Sequence, residues 1–146
     1  MSNWDKKFFE LSQYIASWSK DRSTKVGSVI VNDNHVIVSI GYNGFPIGFN
    51  DDVDERHERP IKYKYTEHAE RNAIYNAAKI GISTKDCTIY VSLFPCADCA
   101  RAIIQSGIKK IVCIEPDWNH DVWGTDFKIS KEMFNECGVE ILFYKN

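Results

Sequence analysis

The residues best suited to chemistry are two thiols, Cys96 and Cys99, in the run Phe94-Pro95-Cys96-Ala97-Asp98-Cys99. Proline is favoured in the first turn of a helix, where its missing N–H leaves no bond unmade. A helix opening here puts Cys96 and Cys99 on one face, and its N-terminal end favours the thiolates that bind metal. Zinc takes four ligands as a rule, so two cysteines leave a site unfinished. His68-Ala69-Glu70 lies upstream and offers an imidazole, with a carboxylate two residues later. His68, Cys96 and Cys99 then make three protein ligands, and the fourth position is left to water. That count belongs to a catalytic site rather than a closed structural one. Zinc brings the pKa of its water towards neutrality, and Glu70 can take the proton. Two other readings of Cys-x-x-Cys stay open at this point. A redox pair has no need of His-x-Glu, and a structural zinc needs a fourth ligand, for which His57, His120 or Cys113 are available. His57 and His120 are read instead as exposed loop histidines.

The surrounding elements must bring both motifs to one place. His68 and Glu70 are about 200° apart on a regular helix, so they converge only at the start of its first turn. The spacing predicts that helix from about Glu67 to Lys79, with Gly81 as its stop. Thr88 to Leu93 is a nearly all-apolar strand leading into the cysteine motif, and Ala97 to Ser106 is a helix closed by Gly107. Lys110 to Ile114 is a buried strand, followed by a loop from Glu115 to Phe127 that contains Trp118, His120 and Trp123. A helix from about Ile129 to Cys137 and a strand from Glu140 to Tyr144 end the chain.

Upstream, Trp4, Phe8, Leu11, Ile15 and Trp18 recur at helical spacing, widened by Phe9 and Tyr14, and these aromatics are read as core. Ser2 three residues before Asp5 resembles a capping box. Val26 to Val31 and Val36 to Tyr42 form an antiparallel hairpin through Asn32-Asp33-Asn34-His35, with His35 solvated. Asn43 to Lys64 is loop-like, and a loop of that length in a compact domain is more often functional than idle. Strand, helix, strand, helix, strand at the C-terminal end implies right-handed crossovers and parallel pairing. The expected fold is α/β: one three-layer α/β/α domain over residues 1–146 with a mixed five-stranded sheet.

The chain of 146 residues is long enough to bury a sizeable core, and its 44% hydrophobic and 26% charged content is that of an ordinary globular protein. Eighteen basic against twenty acidic residues leave a net charge of −2, with no basic surplus for duplex nucleic acid or an anionic membrane. No signal peptide and no membrane span of about 18 apolar residues is read in it. Of the five cysteines, Cys87, Cys113 and Cys137 are read as buried reduced thiols acting as small apolar residues, in a cytoplasmic protein.

His68-Ala69-Glu70 followed by Pro95-Cys96-Ala97-Asp98-Cys99 resembles the signature of the zinc-dependent nucleoside and nucleotide deaminases. Other stretches are similar to deoxycytidylate (dCMP) deaminases: Ser19-Lys20-Asp21, Lys25-Val26-Gly27, Gly41-Tyr42-Asn43-Gly44-Phe45-Pro46-Ile47-Gly48, Asp51-Asp52, Arg71-Asn72-Ala73-Ile74 and Ile103-Ile104-Gln105-Ser106-Gly107-Ile108-Lys109. The resemblance implies a cytidine-deaminase-like fold and hydrolysis of dCMP to dUMP and ammonia, supplying dUMP for thymidylate synthesis. It implies zinc on His68, Cys96 and Cys99, with Glu70 as proton shuttle. It places Asn43 on the sugar 3′-hydroxyl, the backbone around Ala69 and Ser92 on the pyrimidine edge, and the stretch Lys20 to Lys25, with Ser23 and Lys25, at the 5′-phosphate. It further implies a homohexamer switched on by dCTP and off by dTTP, with Mg2+ accompanying the nucleotide at the Gly41-to-Asp52 loop. The chain departs from the pattern in two places. Ligands for an additional structural zinc have no evident counterpart. Glu115-Pro116-Asp117-Trp118 stands where many members place a tyrosine, so Trp118 stacks on the ligand or caps the core. The rivals are a deaminase of another cytosine nucleotide or nucleoside, of a modified dCMP or of adenosine in tRNA, and a zinc-stabilised binding module without turnover.

Overall fold

The computed structural model describes residues 1–145. The elements are α1 (Asn3–Ala16), β1 (Gly27–Val31), β2 (Ile37–Tyr42), a 3-10 turn (Asp54–His57), α2 (Lys62–Tyr65), α3 (Ala69–Ile80), β3 (Thr88–Val91), α4 (Ala97–Gln105), β4 (Lys110–Cys113), α5 (Gly124–Glu136) and β5 (Glu140–Phe143). The five strands lie in the order β2-β1-β3-β4-β5. β1 runs antiparallel to both β2 and β3, whereas β3, β4 and β5 are parallel, which is the mixed sheet expected from the sequence.

Side chains alternate between the two faces of a strand, and the core divides accordingly. Val29, Val31, Tyr90 and Val112 pack with Phe8, Phe9 and Ile15 of α1 on one face. Ile30, Ile89, Val91, Ile111 and Cys113 meet Ala73, Ala100, Ile103 and Phe134 on the other. α1 therefore covers one face while α3, α4 and α5 cover its opposite. Two glycines let the helices lie directly on the sheet. A Cβ on Gly27 would sit 2.2 Å from the Ser12 carbonyl oxygen, and one on Gly41 would sit 2.4 Å from the Ala69 carbonyl oxygen.

The Ser2 cap holds, its hydroxyl accepting from the Asp5 N–H at 3.0 Å. The aromatic stripe of α1 is only partly core. Phe8 and Phe9 are buried, but Trp4 and Tyr14 are exposed because the stripe is wider than the strip of sheet beneath it, and Trp18 is exposed beyond the end of the helix at Ala16. Trp4 stacks on His35 at 4.5 Å, so that turn histidine is not simply solvated.

The stretch expected to be loop carries the 3-10 turn and α2, and it folds on its own aromatics. Phe45 packs on Phe49, His57 and Tyr65, and the Arg56 guanidinium lies 3.8 Å over the Phe49 ring. α5 begins at Gly124 rather than near Ile129, and Cys137, expected to be buried, is exposed where it caps the end of that helix, while Cys87 and Cys113 are buried. The His120 imidazole accepts from the N–H groups of Val122 and Trp123, both at 3.1 Å, and so starts the helical turn early. Among the described residues no helix is long and apolar enough to cross a membrane.

Candidate active site

His68 is the residue just before α3, with extended backbone (φ −80°, ψ 153°). Cys96 holds the same place before α4 (φ −69°, ψ 171°), and Cys99 lies in the first turn of that helix. Two devices deliver the donors: a five-residue connection carries the chain from β3 into α4, and an isolated bridge between Gly44 and Glu67 steers it into α3. The bridge bonds, Gly44 N–H to Glu67 O at 3.1 Å and Glu67 N–H to Gly44 O at 2.8 Å, set Asn43 opposite His68. Ser28 of β1 pins α3 from beneath, its hydroxyl donating to the Ala69 carbonyl at 2.8 Å.

The donor atoms of His68, Cys96 and Cys99 all lie within 4.8 Å of one another. His68 Nδ1 is 3.5 Å from Cys96 Sγ and 3.4 Å from Cys99 Sγ. Tetrahedral zinc with ordinary bond lengths sets nitrogen and sulfur about 3.6 Å apart. The donor set therefore fits zinc in chemistry and spacing. Its electrostatics also call for a cation. A hydrogen bond from the Cys99 thiol, helped by His68, pulls Cys96 down to about 4. The same bond, with burial, pushes Cys99 up, so a second thiolate needs a positive charge between the two. The His68 imidazole is held above its ordinary value, first by its hydrogen bond to Cys96.

Glu70 lies in the first turn of α3 and is only 4% exposed. Burial pushes its carboxyl above the usual carboxylate range, which suits a group that must both take and give a proton. Glu67 adds a support the sequence did not advertise. Its carboxylate accepts from the His68 N–H at 3.1 Å and from the Arg71 guanidinium at 2.5 Å.

Asn43 is buried, and both ends of its amide are engaged. Its oxygen accepts from the Val26 N–H at 2.9 Å, and its nitrogen donates to the Thr24 carbonyl at 2.8 Å. Ala69 is fully buried at the start of α3. Ser92 follows β3, donating its N–H to the Gly27 carbonyl at 3.1 Å while its hydroxyl accepts from the Gly27 N–H at 3.0 Å. Ser23 and Lys25 are exposed. Their stretch is shaped by Asp21, whose carboxylate accepts from the N–H groups of Ser23 and Thr24 at 2.9 and 3.0 Å and from the buried Lys62 ammonium at 3.3 Å. Trp118 packs edge to face on Phe94 at 5.3 Å, with the Lys131 ammonium 5.0 Å over its ring.

A cleft of about 230 Å³ opens beside Asn43, walled by Trp18, Lys20 and Tyr42 on one side and Phe45 to Phe49 on the other. Lys20 reaches Asp51, which also lines the cleft, at 3.0 Å, and outside it Arg22 reaches Asp54 at 2.8 Å. Sequence reasoning also missed Asp126 and Ser130, which hold the cysteine motif from α5. Asp126 Oδ2 accepts from the Ala97 N–H at 2.7 Å, and the Ser130 hydroxyl donates to the Pro95 carbonyl at 3.0 Å. With α5 expected to start after Asp126, no local signal pointed to them.

Residues 2–115 match the family described as the cytidine and deoxycytidylate deaminase zinc-binding region. An uncharacterised deaminase from the luxG 3′ region of Aliivibrio fischeri is 45% identical over 97% of this chain and 93% of its own length. The human deoxycytidylate deaminase is 40% identical over 93% of this chain and 76% of its own. The dCMP deaminase of cyanophage S-TIM5, in its apo crystal structure, superposes with a TM-score of 0.77 at 25% identity, over 99% of this chain and 100% of its own. With the His68, Cys96, Cys99 and Glu70 arrangement, these likenesses mean that the chain belongs to the zinc-binding cytidine and deoxycytidylate deaminases.

Proposed function

We propose that this protein hydrolyses dCMP to dUMP and ammonia. The observation that carries the reading is the convergence of His68 Nδ1 and the two thiols within 4.8 Å of one another, beside the buried Glu70. The 40% identity to an enzyme named for deoxycytidylate supports the choice of substrate. Zinc, when held by these three residues, supplies Lewis-acid activation of a water molecule at neutral pH. Glu70 takes a proton from that water as its oxygen bonds to C4 of the pyrimidine, and passes the proton to N3. Glu70 then carries the remaining hydroxyl proton to the exocyclic amine, the C4–N bond breaks, and ammonia leaves. The carbonyl of dUMP stays behind.

The substrate contacts belong to the same proposal. Each end of the Asn43 amide keeps one further hydrogen-bonding position beyond those used inside the fold, enough for a sugar hydroxyl. The backbone at Ala69 and Ser92 takes the pyrimidine edge. Lys20 and Arg22 are engaged by Asp51 and Asp54, so Lys25, with Ser23, is assigned to the 5′-phosphate. Trp118 walls the pocket from the loop after β4, a place supported by its packing on Phe94 next to the cysteine motif.

The cleft beside Asn43 is assigned to a regulatory dCTP or dTTP with Mg2+, in a homo-oligomer that we take to be a hexamer. Asp51 and Asp52 are its carboxylates, and a bound magnesium ion must compete there with Lys20 at 3.0 and 3.9 Å. Five free cysteines fit a reducing, cytoplasmic setting. A panel of dCMP, deoxycytidine, dCTP and 5-methyl-dCMP tests the substrate reading. Deamination of dCMP well above the others supports it; turnover of deoxycytidine at equal kcat/KM defeats it.

A further inference from the structure

We propose that Asp126 and Ser130 of α5 are positioning residues that hold Cys96 in its metal-binding geometry. The inference rests on the metal site alone and not on the identity of the substrate. Cys96 is flanked on both sides by bonds from α5. The carbonyl of the residue before it, Pro95, accepts from the Ser130 hydroxyl at 3.0 Å. The N–H of the residue after it, Ala97, donates to Asp126 Oδ2 at 2.7 Å. One residue further back, Phe94 is boxed by Phe127 and Phe134 of the same helix at 5.7 and 6.3 Å. Both peptide units adjoining the Cα of Cys96 are therefore fixed by a single rigid element.

The need for such a clamp follows from the chemistry of a helix start. The first N–H groups of a helix have no partner inside it, and the side chain of the residue before the helix usually supplies one. At α4 that residue is Cys96, whose sulfur is assigned to the metal and makes no capping bond to the helix. Asp126 supplies the acceptor from outside, so the cap and the ligand are separate groups. Ser130 is fully buried, and its one hydroxyl proton is shared between the Pro95 carbonyl at 3.0 Å and the Asp126 carbonyl of its own helix at 3.2 Å, which holds the hydroxyl between α5 and the cysteine motif. Orientation is what a ligand on a helix terminus most lacks, because the terminal turn frays more readily than the interior. Fixing the peptides on either side leaves the Cys96 side chain its own rotamer as the main remaining freedom.

The test uses the zinc-loaded protein and two readouts that need no turnover: release of zinc to a chromogenic chelator, and the thiolate-to-metal bands of the cobalt-substituted protein. Asp126→Ala removes the acceptor, Ser130→Ala removes the donor, and Asp126→Asn keeps an acceptor oxygen in the same place. Supporting interactions around metal ligands are worth about 10–100-fold in metal affinity. Zinc release about tenfold faster in Asp126→Ala and Ser130→Ala, with shifted cobalt bands and recovery in Asp126→Asn, is the expected result. Should the alanine variants be unstable, Asp126→Asn and Ser130→Cys are compared at a temperature where both are folded, and the cysteine variant should still release zinc faster. Variants that melt earlier yet keep the parent's release rate and cobalt spectrum would show a merely structural role and overturn the proposal.

Discussion

Replacing Gly41 by alanine tests whether the seat of α3 on β2 governs the site. A Cβ there would lie 2.4 Å from both the Ala69 carbonyl oxygen and the Ala73 nitrogen, and 2.9 Å from the Ala73 Cα, whereas ordinary contact begins near 3.4 Å. All three are backbone atoms, so no side chain can swing away, and the first turn of α3 must lift by about 1 Å. Overpacking of that kind costs about 1–3 kcal/mol, more than the ~0.4–1 kcal/mol that alanine returns by stiffening the unfolded chain. The net loss should lower the urea midpoint by about 1 M. The lifted turn carries Glu70 and follows His68, and a 1 Å misplacement near the reacting atoms costs about 10²-fold in rate. Gly44→Ala is the control, because its Cβ meets nothing within 4 Å. The assay is urea unfolding with zinc content and dUMP formation on one preparation. A Gly41→Ala protein within about 0.5 kcal/mol of the parent, a change typical of neutral surface sites, and within twofold of its rate would refute the reasoning.

Three further outcomes follow. Cys99→Ala should lose most of its zinc and its activity together, read by metal analysis against one zinc per chain in the parent, since two ligands of three cannot hold the ion. Burial opposes the charge of Asp21, yet the Ser23 and Thr24 N–H groups and Lys62 outweigh it and hold its carboxyl below the usual value. A depressed folded pKa gives stability that is present above the unfolded value of about 3.9 and lost as pH falls through the folded one. The parent should thus unfold at higher urea than Asp21→Asn at pH 7, and the gap should close on acidification below about pH 4; a constant gap would contradict the assignment. Lastly, dCTP with Mg2+ should change the dCMP saturation curve or the sedimentation of the protein, and Lys20→Ala should alter that response by freeing Asp51.

The donor set was legible because its signal is local: Cys-x-x-Cys and His-x-Glu each open a helix, and a helix start has a fixed geometry. The sheet was legible too, because strands buried on both faces read as apolar runs such as Thr88 to Val91. What escaped depends on contacts between distant segments. The start of α5 was misplaced because Gly124 and the polar residues after it look like loop. Gly124 is there because a Cβ would meet the Trp118 carbonyl oxygen at 2.6 Å, a fact of packing that no window of sequence contains. Lys62 falls in the stretch read as loop-like, yet it opens α2 and is buried on Asp21. Asn43, singled out for a sugar hydroxyl, also stitches Thr24 to Val26, a duty visible only once the hairpin and the preceding stretch are folded together.

The central claim is that Glu70 moves the protons of a zinc-dependent deamination, and Glu70→Gln tests it most directly. The amide has nearly the shape of the carboxylate and the residue is not among the three donors, so zinc content should match the parent. Binding of dCMP should stay within about tenfold, or roughly 1.4 kcal/mol. A positioned acid–base group contributes about 10²–10⁴-fold, and one that serves several transfers belongs at the upper end, so dUMP formation should fall by about 10⁴-fold or more. A Glu70→Gln protein that holds its zinc, binds dCMP and forms dUMP within a few-fold of the parent would contradict the account.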